Sequence, residues 1–286
     1  MEGQLDTCDA LDARQFMLAV RRMADSFSYG TDRSPFLGSG IEYVQSRPYE
    51  YGDPVKNLDW RVTARTGRYH VKEYEAPKRM PCWLLIDTSA SMTISSHTRS
   101  KYAQAVHIAG GLALACLDRV SPVGILGVGE QDLRVEPSLS QEQILQWLHR
   151  LRTFRFDERT SLNRRIVELN PSLTSTSLVI VLSDLYESES LPALKQLAQR
   201  HDVAVLQLAD PAESDLSGAG FIRGREAETG ASFTTPSRRV SLGKERVASE
   251  LKRGGIDHLY LPTNEPVVLP LRHFFESRGL LGKGAR

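Results

Sequence analysis

The chain has 286 residues, a formal net charge of +1 and 25% charged residues, which is the profile of an ordinary soluble globular protein. The near-neutral charge excludes the global positive field of strongly basic nucleic-acid-binding proteins, so no nucleic-acid partner is expected. Apolar runs such as 178–182 and 203–208 are too short to span a bilayer, so direct membrane insertion is not expected either.

The N-terminus and the cysteines predict a cytoplasmic protein. No basic segment followed by an apolar one opens the chain, which argues against a signal peptide. The three cysteines, Cys8, Cys82 and Cys116, are odd in number and lack paired spacing. Reduced thiols in the cytosol are the simplest interpretation of such a pattern.

The first 80 residues are predicted to form an N-terminal extension. Apolar residues at helical spacing predict an amphipathic helix over 11–27. The stretch 28–80 is rich in Gly, Pro, aromatic residues and charges of both signs, which favours loops with short strands.

From residue 81 strands alternate with helices, which predicts an α/β domain over 81–280 and a short tail over 281–286. The strands are predicted at 82–86, 123–128, 133–135, 177–183, 203–208 and 258–261, with a hairpin of 221–225 and 231–235. The helices are predicted at 99–117, 140–152, after 160, at 191–200, at 244–253 and up to about 279. This alternation is typical of a doubly wound, mostly parallel sheet with helices on both faces.

Oxygen-bearing side chains cluster where predicted strands end. Asp87, Ser89 and Ser91 follow the first strand of the α/β domain, and Asp184 follows the strand at 177–183. Thr160 lies between them in sequence, at the start of a helix. Ligands bind at the carboxyl ends of the strands in open α/β sheets, so these residues form a candidate site. As a strand-end residue, Asp87 is expected at the surface.

The candidate site contains only oxygen ligands, which suits magnesium, with manganese or calcium as alternatives. Magnesium retains water and needs few direct protein ligands, so one position could remain open for a partner's carboxylate. The competing interpretation is structural, because Asp and Ser after a strand are also ordinary turn and N-cap residues.

The Asp-x-Ser-x-Ser spacing of Asp87, Ser89 and Ser91 resembles the metal-ion-dependent adhesion site of the von Willebrand factor A domain. The resemblance implies a von Willebrand A-like, Rossmann-like fold. It further implies that Thr160 and Asp184 complete the ligand set, although Glu158 and Arg159 stand where small residues are expected before the threonine.

A second motif lies within residues 47–65 and resembles the family called "domain of unknown function fifty-eight". The matching positions are Arg47, Tyr49, Gly52, Asp53, Asp59, Trp60, Arg61, Ala64 and Arg65. The resemblance implies an N-terminal extension leading into a von Willebrand A-like domain, and association with a MoxR-type AAA+ ATPase. Many relatives carry N-terminal membrane helices, so this chain could also be recruited to a membrane-bound partner.

The charged and aromatic residues of this motif allow two roles. They could form an intramolecular clasp onto the α/β domain, which is the structural interpretation. They could also form a docking face, because Arg and aromatic residues often anchor protein interfaces.

Three functions therefore stay open. The preferred one is a non-enzymatic, magnesium-dependent interaction module, an adaptor for a MoxR-type ATPase in protein assembly or remodelling, whose partner offers an acidic residue to the metal. The alternatives are a magnesium-dependent phosphatase or hydrolase that uses a strand-end aspartate, and a von Willebrand A-like scaffold with no metal bound.

Overall fold

The computed structural model describes residues 13–28, 42–75, 80–97, 99–118, 120–152, 158–187, 189–214, 221–225, 232–236 and 244–280. The helices are α1 (Ala13–Ser28), α2 (Trp60–Thr66), α3 (Lys101–Asp118), α4 (Gln141–Arg152), α5 (Leu162–Leu169), α6 (Ser190–Leu197), α7 (Pro211–Ser214), α8 (Lys244–Arg253) and α9 (Val268–Leu280). The strands are β1 (Glu42–Pro48), β2 (His70–Glu75), β3 (Cys82–Ile86), β4 (Val123–Gly127), β5 (Arg134–Ser138), β6 (Leu178–Ser183), β7 (Asp202–Ala209), β8 (Phe221–Arg225), β9 (Ser232–Pro236) and β10 (Asp257–Pro262).

A six-stranded sheet forms the centre of the molecule, in the order β10-β7-β6-β3-β4-β5. All neighbours pair in parallel except the edge strand β5, which is antiparallel to β4. Strands β3, β4 and β6 are buried along their whole length, as expected when helices cover both faces of a parallel sheet. The predicted mixed α/β class with a mostly parallel sheet is confirmed.

Alternate residues of β3 enter two separate hydrophobic cores. Leu84 and Ile86 pack in one core with residues of α1, α3, α4 and α9. Trp83 and Leu85 pack in the other, with residues of α5, α6 and α8. Since successive strand residues point to opposite faces, this division shows that helices flank the sheet on both sides.

Helix α1 packs closely on α3 at two glycines. A Cβ atom at Gly110 would lie 2.9 Å from Val20 Cγ1, and one at Gly111 would lie 2.9 Å from Met23 Cγ. Glycine lowers helix propensity, and the close approach of α1 side chains explains why two glycines stand in the middle of α3. Val20 and Met23 thereby belong to the same core as the sheet.

The stretch predicted as loops with short strands is more regular than expected. β1 and β2 form an antiparallel pair, and α2 lies between them in sequence. The Asp59 carboxylate accepts hydrogen bonds from the amides of Arg61 and Val62 and so caps α2, while Gly67 ends it in the left-handed conformation. None of the helices within the described residues is both long and apolar enough to cross a membrane.

Candidate functional site

The two strand-end aspartates lie at the same edge of the sheet. β3 and β6 are parallel neighbours in which Ile86 pairs with Leu182. Ile86 comes one residue before Asp87, and Leu182 comes two residues before Asp184. The amide of Asp87 continues the ladder by donating to the Leu182 carbonyl at 2.9 Å. The parallel register therefore brings both carboxylates to the carboxyl ends of adjacent strands, as the sequence predicted.

A chain of hydrogen bonds joins the oxygen atoms of this site. The Ser183 hydroxyl donates to Asp87 Oδ2 at 2.5 Å, and the Ser89 amide donates to Asp87 Oδ1 at 3.1 Å. The Ser89 and Ser91 hydroxyls are 3.0 Å apart, and Ser91 donates to Asp184 Oδ2 at 2.9 Å. We call Asp87, Ser89, Ser91, Ser183 and Asp184 the oxygen cluster.

The oxygen cluster is almost completely closed to solvent. Asp87, Ser89 and Ser183 are 0% exposed, and Ser91 and Asp184 are 8% and 5% exposed. The expectation that Asp87 lies at the surface is therefore wrong. Residues 82–90, which run from β3 into the loop after it, are all buried, so the end of the strand is enclosed together with the strand.

Burial changes the acid–base properties of Asp87. Desolvation, followed by the nearby charge of Asp184, raises the pKa of Asp87 to about 7, although hydrogen bonds from Ser183 and Ser89 act in the opposite direction. Two buried carboxylates disfavour each other's ionisation. A positive charge beside them would favour the doubly ionised state.

The segment that contains Thr160 lies next to the loop after β3. The Glu158 carbonyl accepts a hydrogen bond from the Ala90 amide at 3.0 Å, and the Ser161 amide donates to the Val128 carbonyl at 2.8 Å. These bonds flank Thr160, which is partly buried. Thr160 therefore lies between one residue that bonds the loop after β3 and another that bonds the end of β4, and its place in the metal-ligand set stays a prediction.

Glu158 has a role that the sequence did not reveal. It is 3% exposed and accepts hydrogen bonds from the Thr88 hydroxyl and from the Gln131 amide, both at 2.6 Å. A large residue stands where a small one was expected because its carboxylate links the loop after β3 to the loop after β4.

A buried lysine also contacts the oxygen cluster and was missed by sequence reasoning. The Lys101 side chain is 0% exposed, and its Nζ lies 2.9 Å from Asp184 Oδ2 and 2.5 Å from Glu213 Oε1. The same ammonium lies 5.0 Å from the centre of the Tyr186 ring. Burial by itself lowers the pKa of Lys101, but Asp184 and Glu213 outweigh it and raise the pKa above its usual value. Lys101 is therefore a charged internal partner of Asp184.

The donor set of the oxygen cluster fits a hard divalent cation. The hydroxyls of Ser89 and Ser91 and the carboxylate of Asp184 follow one another at hydrogen-bond distance, and the Asp87 carboxylate adjoins them through the Ser89 amide. Magnesium prefers such ligands. In the described parts of the chain, no group of three or more His, Cys, Asp or Glu side chains forms a metal-binding cluster.

Several residues of the 47–65 motif hydrogen-bond to one another or to residues just outside it. Arg47 forms a double hydrogen bond with Asp53, each contact being 2.7 Å long, and Asp53 also accepts from the Glu50 amide. Asp59 accepts from the Ser46 hydroxyl at 2.6 Å in addition to capping α2. Gly52 forms the turn at a φ of 110°, which a residue with a side chain rarely adopts.

A family model described as "Protein of unknown function DUF58" matches residues 45–253. The chain belongs to this family. It is similar to uncharacterized proteins of Mycobacterium tuberculosis and Mycobacterium bovis, each 26% identical over 222 residues, which cover 76% of this chain and 70% of the relative.

Solved structures show weaker likeness. A conserved hypothetical protein BatB from Bacteroides thetaiotaomicron has a TM-score of 0.48 and 14% identity, covering 70% of this chain and 99% of that one. The PilB minor pilin from Streptococcus sanguinis has a TM-score of 0.41 and 10% identity, covering 75% of this chain and 65% of that one.

Proposed function

We propose that this DUF58 chain is a non-enzymatic, magnesium-dependent interaction module with a von Willebrand A-like α/β domain. The observation that carries the proposal is the oxygen cluster, in which Asp87, Ser89 and Ser91 from the end of β3 meet Asp184 from the end of β6. A bound magnesium ion would supply a positive charge to which a partner's Glu or Asp side chain binds.

Asp87, Ser89, Ser91 and Asp184 would hold the metal, with Thr160 on the neighbouring segment. The hydroxyls of Ser89 and Ser91 are already turned towards each other, 3.0 Å apart, so little reorganisation is needed. Ser183 orients Asp87 by a hydrogen bond, and Lys101 orients Asp184 by an ion pair. Such supporting contacts fix ligand geometry and tune metal affinity.

The partner that this function requires is a protein with an exposed acidic residue, and we propose a MoxR-type AAA+ ATPase, acting in the cytoplasm in protein assembly or remodelling. The partner assignment rests on the family resemblance of residues 47–65. The oxygen cluster supports the chemistry, since a metal with an open position selects carboxylates.

One contact favours the scaffold alternative, in which no metal binds. Lys101 already gives Asp184 a buried positive partner at 2.9 Å. The same ammonium also pairs with Glu213. A tethered ammonium of this kind can neutralise a carboxylate that would otherwise need a cation. The two functions differ in a simple observable, because a metal that binds only the folded chain must raise its melting temperature.

Capture of a purified MoxR-type ATPase by the immobilised chain tests the proposal, with magnesium in one arm and EDTA in the other. Capture with magnesium and loss with EDTA, repeated with Asp87→Asn as a matched variant, is the expected result. Equal capture in both arms would refute the metal's role in binding. Magnesium-dependent phosphate release from p-nitrophenyl phosphate, lost in Asp87→Asn, would instead establish the phosphatase alternative.

A further inference from the structure

Residues 46–71 form a small folded unit in which hydrogen bonds join its first residues to its last. The Tyr49 amide donates to the Tyr69 carbonyl at 2.9 Å, and the Asp59 amide donates to the His70 carbonyl at 2.7 Å. Leu58 is 9% and Val71 3% exposed, and the two residues form a bridge. Side chains that this unit exposes are therefore carried on a fixed backbone.

The acidic residues of the unit are used internally. Asp53 binds Arg47 and the Glu50 amide, and these hydrogen bonds lower the pKa of Asp53 below its usual value. Asp59 is 6% exposed, binds Ser46 and caps α2, and these contacts lower the pKa of Asp59. Glu50 is the remaining acidic side chain between residues 49 and 70, and it is exposed.

Most of the basic and aromatic residues of the unit are exposed to solvent. Four cations are exposed, namely Lys56, Arg61, Arg65 and Arg68. Within the described residues, no ion pair holds any of these four side chains. Three aromatic side chains of the same unit are also exposed, with Tyr51 at 105%, Trp60 at 63% and Tyr69 at 62%. Arg61 and Arg65 are four residues apart on α2, so they lie on one face of the helix.

We infer that Tyr51, Lys56, Trp60, Arg61, Arg65 and Tyr69, the basic-aromatic surface, dock an acidic, partly apolar segment of a protein partner. A structural clasp would need the motif's charges to be satisfied inside the molecule. Arg47 and Asp53 satisfy each other, but Lys56, Arg61 and Arg65 are exposed and form no ion pair within the described residues. Large exposed aromatic side chains are costly to leave in water and, together with Arg, are the residues that anchor protein interfaces. The excess of positive charge selects a partner of negative charge.

A protein segment is favoured over nucleic acid as the occupant. The chain as a whole has a net charge of only +1, so it lacks the extended positive field that attracts a polyanion. Val55 is 67% exposed on the same unit and offers an aliphatic contact that a phosphate backbone does not use.

Trp60 fluorescence reports peptide binding directly, because Trp60 is the exposed tryptophan. The two other tryptophans, Trp83 and Trp147, are 2% and 3% exposed. The full chain is titrated in EDTA with a short peptide of alternating glutamate and leucine, and acrylamide quenching of tryptophan fluorescence is followed. EDTA separates this test from the metal site. Bound peptide is expected to protect Trp60 from acrylamide, and Trp60→Phe is expected to remove the quenchable signal.

The variant Arg61→Glu/Arg65→Glu is expected to weaken peptide binding by about tenfold. Its matched control is Arg21→Glu/Arg22→Glu, which has the same formal net charge and changes two exposed residues of α1. Both variants should unfold at the temperature of the natural chain, since the side chains are exposed. Absence of peptide binding, equal weakening in the control, or no protection of Trp60 would overturn the proposal. Tighter binding of an oligo-dT strand with the same dependence on Arg61 and Arg65 would overturn it in favour of nucleic acid.

Discussion

Lys101 and Asp184 form a buried ion pair, with Nζ 2.9 Å from Oδ2, and the same oxygen accepts a hydrogen bond from the Ser91 hydroxyl. One carboxylate oxygen of the oxygen cluster is thus shared between a fixed cation and a serine of the Asp-x-Ser-x-Ser motif. The local charge balance consequently depends on Lys101 as well as on the two aspartates.

Replacing Lys101 by Met is expected to destabilise the chain in EDTA by about 3–5 kcal/mol, because Asp184 would keep a buried charge without its partner. Magnesium is expected to recover part of this loss by binding beside the released carboxylate. Urea unfolding with magnesium or EDTA measures both effects.

The matched control for that variant is Lys195→Met. Lys195 pairs with Glu250 near the surface, where its side chain is 35% exposed, so the loss should be about 1 kcal/mol or less. Equal losses in the two variants would show that the buried Lys101 pair stabilises the fold no more than a surface ion pair does.

The raised pKa of Asp87 predicts a stability that depends on pH. Because the pKa of Asp87 in the folded chain is raised to about 7, its carboxyl stays protonated up to that pH, whereas the unfolded chain releases the proton near the usual value of 3.8. The folded state binds more protons in this window, so without metal its stability should fall as pH rises from about 4 to about 7. Asp87→Asn should remove this part of the pH dependence in urea unfolding curves measured in EDTA. An unchanged slope in the variant would contradict the assignment.

Magnesium affinity should change with pH in the opposite direction. A metal ligand must be deprotonated, so protons and magnesium compete for Asp87. Because the pKa of Asp87 is raised to about 7, affinity should increase as pH rises through that value and level off above it. Isothermal titration at a series of pH values measures this dependence, and a flat profile between pH 6 and 8 would argue that Asp87 is not a ligand.

Gly129 is predicted to be intolerant of a side chain. A Cβ atom there would overlap the Glu158 carboxylate and the Thr88 hydroxyl. Glu158 would have to leave the hydrogen bonds that join the loops after β3 and β4, so Gly129→Ala should cost about 1–3 kcal/mol. If the effect acts through Glu158, the double variant Gly129→Ala/Glu158→Ala should lose less unfolding free energy than the two single variants lose in sum, as measured by urea unfolding. Full additivity would mean that Gly129 matters for another reason.

The strand ends could be predicted from sequence because burial on both faces forces continuous apolar runs. The predicted strands at 82–86 and 177–183 correspond to Cys82–Ile86 and Leu178–Ser183 in the structure. A carboxylate that directly follows such a run must lie near the sheet edge, so Asp87 and Asp184 could be paired without coordinates.

The burial of Lys101 and Glu158 around the oxygen cluster could not be predicted in the same way. Lysine and glutamate are usually exposed, and neither Lys101 nor Glu158 lies in an apolar pattern. Their burial depends on partners that are 83 and 70 residues away in sequence, Asp184 and Thr88. Helix α2 was missed for a different reason, since a helix of seven residues between its capping Asp59 and Gly67 is too short to show a hydrophobic period.

Magnesium titration of the isolated chain by calorimetry, alongside Asp87→Asn and Ser89→Ala, tests the central claim most directly. The account predicts saturable binding at a single site in the natural chain, a matching rise in melting temperature, and loss of both in Asp87→Asn. Absence of heat, together with a melting temperature that is the same in magnesium and EDTA, would contradict the metal site and favour a scaffold in which Lys101 is the cation that neutralises Asp184.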